Sequence, residues 1–329
     1  QHQTIVKSME QDKMNLKKFC DIITGAKNIY ITGSGTSYHS ALLAKQIFSK
    51  SKIHVETIMS SEFQYSSDML DENSVLLAIS QSGETADVIQ SVKSARTMGA
   101  KVISIVNIPT SSLARLSDSY LEVNCGPEIG VAATKSFTSQ IALLYYVADI
   151  IGRKSNGISS SKDILAKAVI QVLELDSQIE RIADQLKHSK DVYILGRSLH
   201  FPICLEGALK IKELSYIHAE GMAAGELKHG PLALIDTNSI VIVLHPNDST
   251  YGDTLSNIHT IKSRGAKIVG ISNKKEALYD YQITIPTINE SLYPLIEVIP
   301  LQLLAYHLSI CNNGNPDYPR NLAKSVTVK

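Results

Sequence analysis

The chain has 329 residues, which is enough for two ordinary α/β domains that each bury a core of their own. Hydrophobic residues make up 44% of it and charged residues 19%, as in a typical soluble globular protein, and 32 basic residues balance 32 acidic ones. Because a chain without net charge has no long-range field to attract nucleic acid or a membrane surface, we expect neither as a partner.

The four cysteines stand far apart and show no paired spacing: Cys20, Cys125, Cys204 and Cys311. This argues against a zinc site or a disulfide framework, and it favours a reducing, cytoplasmic location without a metal or cofactor. We expect neither an apolar run long enough to span a bilayer nor a signal peptide. The chain starts at Gln1 rather than Met, which is compatible with a fragment of a longer polypeptide.

An internal repeat organises the sequence. NIYITGSGTSYHSALLAKQIF (28–48) predicts a strand, a Gly-rich turn and a helix, and DVYILGRSLHFPICLEGALKIKE (191–213) predicts the same order. Two later segments, ending at Asn107 and Asn273, each predict a strand, a polar turn, a helix, the tripeptide GAK and a second strand. Apolar strands that alternate with helices are typical of parallel sheets covered on both faces, so we predict two tandem doubly wound α/β domains.

Further elements follow from local composition. The polar stretch RKSNGISSS (153–161) is the candidate linker, and a helical pattern follows from about Asp163 to Leu186. The segment from Asn312 onward, NNGNPDYPRNLAKSVTVK, has too much Gly, Asn and Pro for regular structure. It is either a disordered terminus or a tail that tertiary contacts hold in place.

The strongest local motif is SQSGET (80–85), directly after the apolar run VLLAI. A turn rich in hydroxyls at a strand-to-helix junction presents backbone N–H groups and the positive end of the helix dipole, which suits a phosphate monoester. Gly83 would let the backbone approach the ligand. The earlier turn GSGTSYHS places further hydroxyls at a neighbouring strand end. The alternative is that both turns merely cap their helices.

The repeat provides an internal comparison for this motif. Aligning the two GAK tripeptides places Pro246 opposite Ser80, Asp248 opposite Ser82 and Tyr251 opposite Thr85. A carboxylate repels phosphate and proline lacks a backbone donor, so we expect one phosphate pocket per chain, in the first domain.

In the second half, LEGALKIKE (205–213) predicts a helix that begins soon after Pro202. Glu206, Lys210 and Glu213 share one face of that helix, as in an exposed, salt-bridged surface or in a catalytic cluster. The run GELKHGP interrupts the helical periodicity, so His229 is predicted on a turn, where it could act as an acid–base group.

These motifs together resemble the family of glutamine–fructose-6-phosphate aminotransferases (glucosamine-6-phosphate synthases). The resemblance rests on GTSY, SQSGETAD, GVAATKSFTSQ, LEGALKIKE, YIHAEGMAAGELKHGPLALID and PRNLAKSVTV. It covers the isomerase region, which in that family consists of two SIS (sugar isomerase) domains. It implies a first SIS domain over 1–155 with an N-terminal helix, a second over 162–312 and a tail over 313–329.

The resemblance also implies roles for individual residues in converting fructose 6-phosphate into glucosamine 6-phosphate. Lys324 would form a Schiff base with the ketose, Glu213 would move a proton between C1 and C2, Lys210 would support the intermediate, and His229, from the partner subunit of a homodimer, would open the sugar ring. Residues that would bind the sugar phosphate or line its site are Thr36, Ser37, Ser80, Gln81, Ser82, Thr85, Val131, Ala133, Glu206 and Ala323. Ala133 stands where bacterial members have a serine.

One departure from the family concerns its glutaminase domain, which begins with a cysteine nucleophile. No cysteine lies near the N-terminus, since Cys20 is the first, so we expect this chain not to hydrolyse glutamine and its ammonia to come from a glutaminase domain of the full-length protein. Two other functions remain open: a sugar-phosphate deaminase or isomerase of the SIS family, and a non-catalytic sugar-phosphate sensor.

Overall fold

The computed structural model describes residues 1–153 and 157–327, and these divide into two compact units. The first unit contains the described residues 1–129, 133–153, 157–162 and 323–327, and the second contains 130–132 and 163–322. The segment predicted as one tail thus divides after residue 322. Residue 155, the predicted end of the first domain, and positions 154–156 of the predicted linker lie outside the described residues. The end of that linker is a 3-10 helix, Ile158–Ser161.

The first unit contains one sheet and its covering helices. In chain order its main elements are α1 (His2–Ser8), α2 (Lys13–Gly25), β1 (Asn28–Gly33), α3 (Thr36–Ser49), β2 (Glu56–Met59), β3 (Ser74–Ser80), α4 (Ala86–Thr97), β4 (Lys101–Val106), α5 (Ser112–Leu116), β5 (Ser119–Glu122) and α6 (Lys135–Ile151). The predicted strand–turn–helix units therefore lie over β1 to α3 and β3 to α4.

All five strands of the first sheet are parallel, in the order β2-β1-β3-β4-β5. Every residue of β3 is buried, as expected of a central strand with both faces covered. On one face Leu76 and Val102 pack against Val88 and Val92 of α4. The order is that of a flavodoxin-like doubly wound sheet, whose chain reverses direction across the sheet between β1 and β3. Ligands of such sheets bind beyond the carboxyl ends of these two strands, where both hydroxyl-rich turns lie.

The second unit repeats this architecture. Its main elements are α7 (Lys162–Leu173), α8 (Asp176–Leu186), β6 (Asp191–Gly196), α9 (Phe201–Ser215), β7 (His218–Ala223), β8 (Ile240–Leu244), α10 (Tyr251–Lys262), β9 (Lys267–Ser272), β10 (Tyr281–Thr284) and α11 (Pro294–Cys311). The strands are again parallel, in the order β10-β9-β8-β6-β7, which is the order of the first sheet when each unit's strands are numbered from one. The prediction of two doubly wound parallel sheets is confirmed.

Three local predictions need correction or detail. The helix predicted from Asp163 to Leu186 is two helices, α7 and α8, which are separated by Glu174 and Leu175. The expectation of no membrane-length apolar run was wrong, because the described residues contain one helical span, Glu290–Cys311, that is long and apolar enough. Most of that span is buried, and α11 packs against α8 and α9 as the core helix of the second unit. Within 313–327 the tail contains no helix or strand, as predicted.

Candidate active site

The turn after β3 gathers three hydroxyl groups. Ser80 Oγ accepts a hydrogen bond from the Gly83 N–H at 3.0 Å, and Ser82 Oγ accepts one from the Glu84 N–H at 3.2 Å. A hydroxyl that accepts an N–H keeps its own proton for donation, so these bonds orient the two serines as donors. Thr85 precedes α4, but its side chain does not cap that helix; its Oγ1 lies 3.4 Å from Ser80 Oγ instead. Helix capping therefore does not explain the hydroxyls of this turn.

Gly83 has a packing role that the sequence did not reveal. Its φ is +68°, and a Cβ atom there would lie 2.1 Å from Ser111 Oγ. Its carbonyl accepts a hydrogen bond from the Leu113 N–H at 3.0 Å. The turn thus needs glycine because its back packs against the start of α5, and a role of Gly83 in the approach of a ligand stays a prediction.

The turn after β1 is supported from α6. Ser37 is buried, and its Oγ accepts a hydrogen bond from Gln140 Nε2 at 3.2 Å. Gln140 Oε1 in turn accepts from Ser40 Oγ at 2.9 Å. Thr36, the first residue of α3, is half-buried beside Ser37. Sequence reasoning missed Gln140, although it ends the motif GVAATKSFTSQ.

The end of the tail lies on the SQSGET turn. Lys324 Nζ donates to Glu128 Oε2 at 2.6 Å, Ser325 Oγ lies 3.2 Å from Ser82 Oγ, and the Val326 carbonyl accepts the Ala86 N–H at 3.1 Å. The Lys324 side chain is 26% exposed. A disordered terminus, one of the two alternatives for the tail, does not match these contacts. The first N–H of α4 is bonded to the tail, so it is not one of the backbone donors that we had expected there for a phosphate.

Glu128 is the acidic partner that the sequence analysis did not identify. Its side chain is 5% exposed, and its Oε1 accepts the N–H groups of Thr134 and Ser136 at 2.9 and 3.2 Å. Its Oε2 accepts Ser136 Oγ at 2.7 Å in addition to Lys324. Burial alone would raise the pKa of Glu128, but the Lys324 charge and these hydrogen bonds outweigh burial and lower it. Glu128 is therefore a carboxylate at neutral pH.

In the second unit, α9 carries a buried charged cluster. Lys210 Nζ lies 2.5 Å from Glu213 Oε2 and 3.5 Å from Glu206 Oε1. Glu206 and Lys210 are 0% and 1% exposed, so the exposed, salt-bridged surface that we considered for this spacing is excluded. Burial alone would lower the pKa of Lys210, but the two carboxylates raise it, so the lysine is charged. Glu213 is 21% exposed, which leaves its carboxylate accessible to a ligand.

The remaining candidate residues are placed as follows. His229 is exposed on a 3-10 helix, Glu226–His229, that ends at Gly230, in agreement with the predicted turn. The Val131 N–H donates to the Asp317 carbonyl at 3.3 Å. The other three are the half-buried Gln81, the half-buried Ala133 and the exposed Ala323.

The second unit carries an ion cluster at the positions that correspond to the hydroxyls of the first. His200 is the fourth residue after β6, as Ser37 is after β1. His200 Nε2 lies 2.8 Å from Asp248 Oδ2, and its Nδ1 lies 2.7 Å from Glu297 Oε2. Since Asp248 aligns with Ser82, this end of the second sheet is filled by its own buried charges. The expectation of one phosphate pocket per chain, in the first domain, stays a prediction.

Among known protein families, the SIS domain matches this chain twice, at residues 22–149 and 185–311. The glutamine–fructose-6-phosphate aminotransferase [isomerizing] of Pyrococcus horikoshii is 42% identical over 321 residues, which cover 95% of this chain and 54% of the relative. The enzyme of the same name from Mesorhizobium japonicum is 44% identical over 313 residues, or 91% of this chain and 52% of the relative. The chain thus spans about half the length of these curated relatives.

Solved structures agree with this result. The C-terminal domain of glucosamine-fructose-6-phosphate aminotransferase from Francisella tularensis superposes with a TM-score of 0.90 at 32% identity, covering 97% of this chain and 96% of that chain. Glucosamine-6-phosphate deaminase from Thermotoga maritima has a TM-score of 0.80 at 22% identity, with 98% and 99% covered, which is a likeness of fold alone.

Proposed function

Because the chain belongs to the SIS family and, within it, to the C-terminal isomerase halves of the glutamine–fructose-6-phosphate aminotransferases, we propose that it converts fructose 6-phosphate and ammonia into glucosamine 6-phosphate. The single observation that carries this proposal is the position of Lys324, whose neighbour Ser325 contacts the hydroxyl-rich turn while its own amine is held by a buried carboxylate.

In this proposal the phosphate of the sugar binds at the carboxyl ends of β1 and β3. Its donors are the hydroxyls and amides of Thr36, Ser37, Ser80, Gln81, Ser82 and Thr85. The oriented serine hydroxyls of the SQSGET turn support this role, since each accepts a backbone N–H and retains its own proton. Such donors hold a phosphate monoester by geometry rather than by net charge.

Lys324 would act on the open-chain ketose. The lone pair of its neutral amine attacks the C2 carbonyl carbon, the oxygen takes up protons and leaves as water, and a protonated imine forms. Ammonia then adds to the same carbon and displaces the lysine amine, so that the nitrogen stays with the sugar. The protonated imine draws electrons from C1, which prepares the next step.

Glu213 would then transfer the proton between the two carbons. Its carboxylate takes a proton from C1, the electrons of that C–H bond form a C1–C2 double bond, and the imine nitrogen becomes neutral. Return of the proton to C2, with loss of the C1 hydroxyl proton, gives the amino aldose. The charged Lys210, 2.5 Å from Glu213, would stabilise the carboxylate and the intermediate. Glu206 would line the same site, and its carboxylate helps to keep Lys210 charged.

The remaining roles follow from the family. His229 of a partner subunit in a homodimer would open the sugar ring, and Val131, Ala133 and Ala323 would line the site. A glutaminase domain of the full-length protein would supply the ammonia. We place the protein in the cytoplasm, where its sugar-phosphate substrate would be found, and propose neither a nucleic-acid nor a membrane partner.

Borohydride trapping tests this function directly. The chain is incubated with fructose 6-phosphate and borohydride, and the modified residue is mapped by mass spectrometry. We expect one adduct at Lys324, none in Lys324→Ala, and conversion of fructose 6-phosphate into glucose 6-phosphate by the untreated chain. Sugar-phosphate binding without an adduct or turnover would instead indicate a sensor. Ammonia release from glucosamine 6-phosphate that exceeds isomerisation would indicate a deaminase.

A further inference from the structure

Lys324 pairs with a buried carboxylate, Glu128, that has no role in the mechanism proposed above. Glu128 lies 196 residues away in the sequence, yet its Oε2 accepts the Lys324 ammonium at 2.6 Å. Lysine and glutamate side chains are long and mobile, and an exposed pair of this kind has little energetic value. The Glu128 carboxylate is only 5% exposed, so the surrounding residues fix its orientation. The fixed carboxylate in turn orients the Lys324 amine.

Helix α6 holds this carboxylate from the opposite side. The other oxygen, Oε1, accepts the N–H groups of Thr134 and Ser136 at the N-terminus of the helix, where the helix dipole favours negative charge. Ser136 Oγ adds a third donor, to the oxygen that also binds Lys324. Three hydrogen bonds to the start of α6 thus fix Glu128, and its Oε2 also accepts a hydrogen bond from the Lys324 amine.

The chemistry of the proposed imine step requires such a partner. An ammonium ion and a ketone give a protonated imine and water, so one positive charge stands at the lysine nitrogen both before and after the step. Between these states the amine must be neutral in order to attack. A fixed carboxylate stabilises the charged species at both ends and keeps the nitrogen in place.

We propose that Glu128 is the counter-ion and positioning residue of the reactive amine of Lys324. This inference rests on the proposed function, since it assigns a task within the imine step. Cys125 and Lys135 are titratable groups near this pair. Burial raises the pKa of Cys125 to about 11, so this thiol is uncharged, and the Lys135 amine donates to the Pro127 carbonyl at 2.5 Å.

The test compares Glu128→Gln with Glu56→Gln as a matched control. Glu56 also accepts a lysine at 2.7 Å in the first unit, but this pair is exposed at the surface. The rate of borohydride trapping is measured against the concentration of fructose 6-phosphate at neutral pH. In Glu128→Gln we expect the plateau rate to fall about 10- to 100-fold, as for loss of a charge-assisted hydrogen bond. The fructose 6-phosphate concentration that gives half-maximal trapping should stay close to that of the parent, because the groups assigned to the phosphate are unchanged. Glu56→Gln should match the parent.

A conservative variant and a substrate-free measurement make the test decisive. Glu128→Asp keeps the charge on a shorter side chain, so the plateau should recover in part. If Glu128→Gln does not fold, Glu128→Asp is compared with the parent on its own. Acetic anhydride labelling of Lys324 at neutral pH reports on the pair without sugar, and it should be faster in Glu128→Gln, where the amine has lost its carboxylate partner.

The possible results separate the two proposals. A parental plateau in Glu128→Gln, or a lower plateau with a parental rate of Lys324 labelling, overturns the role of Glu128 while the proposed function stands. If the parent forms no adduct at Lys324, the proposed function fails, and the labelling experiment alone then decides whether Glu128 is the counter-ion of this amine.

Discussion

Gln140 and Ser37 are joined by a hydrogen bond of 3.2 Å that links α6 to the first turn of the sheet. Gln140 is 1% exposed, and it uses its amide nitrogen for Ser37 and its amide oxygen for Ser40. The same helix carries Ser136, which binds Glu128, at its first turn. One helix thus fixes both a hydroxyl that we assign to the phosphate and the carboxylate that holds the amine.

The first prediction concerns this link. Gln140→Leu removes the donor to Ser37 and the acceptor for Ser40, so the Ser37 hydroxyl loses its fixed orientation. We expect KM for fructose 6-phosphate to rise about 2- to 10-fold and the free energy of unfolding to fall by about 1–3 kcal/mol. Steady-state isomerisation and urea unfolding measure both. Gln90→Leu, a change of an exposed glutamine on α4, is the control, and an unchanged KM in Gln140→Leu would contradict the role of this bond.

A second prediction separates binding from helix capping in the SQSGET turn. The Thr85 side chain does not cap α4, so Thr85→Val, which keeps the shape and removes the hydroxyl, should leave the melting temperature close to that of the parent. Affinity for fructose 6-phosphate, measured by calorimetry, should fall about 10-fold if the hydroxyl binds phosphate. Thr97→Val, near the end of the same helix, should change neither quantity. A lower melting temperature with unchanged affinity would favour the capping alternative.

The parts of the molecule that could be predicted from the sequence depend on local pattern. Buried apolar runs, hydroxyl-rich turns and the GAK repeat are each visible within a short stretch of sequence. The two parallel sheets and the SQSGET turn could therefore be predicted from them. Glu128 and Gln140 could not be found in this way, because their partners Lys324 and Ser37 lie 196 and 103 residues away. The length of an apolar helix such as α11 likewise does not reveal whether a protein core or a lipid covers it.

A third prediction divides the proposed reaction into its two steps. Glu213→Gln removes the base that moves the proton but leaves Lys324 and its partners in the first unit unchanged. Isomerisation, and exchange of the C1 hydrogen with D2O followed by NMR, should both fall about 100- to 10,000-fold, since this is the usual contribution of a general base. Borohydride trapping at Lys324 should continue at a similar rate. Glu180→Gln, an exposed glutamate on α8, is the control, and exchange at the parental rate in Glu213→Gln would exclude it as the base.

The fourth prediction concerns the His200 cluster and the pH dependence of stability. Burial alone would lower the pKa of His200, but Glu297 and Asp248 raise it from 6.5 to about 10. The stability that His200 contributes is therefore fully present below pH 6.5 and is lost as the pH rises through about 10. Burial also raises the pKa of Glu297 above its ordinary 4.5, so the stability that Glu297 contributes likewise decreases as the pH rises. The pKa of Asp248 is lowered by His200 in spite of burial, and its contribution is lost only in acid.

Urea unfolding at pH 6, 8 and 10 tests this predicted pH dependence of stability. The free energy of unfolding of the parent should fall between pH 6 and pH 10. His200→Gln should lower it by about 3–5 kcal/mol at pH 6, because two buried carboxylates lose their cation, and it should remove much of the alkaline decline. His307→Gln is the matched control, since His307 also bonds an aspartate at 2.8 Å, but Asp176 is 53% exposed, so the loss should be about 0–1 kcal/mol. A parent whose stability stays level up to pH 10, or a His200→Gln variant with parental stability at pH 6, would show that the buried imidazole is not the charged centre of this cluster.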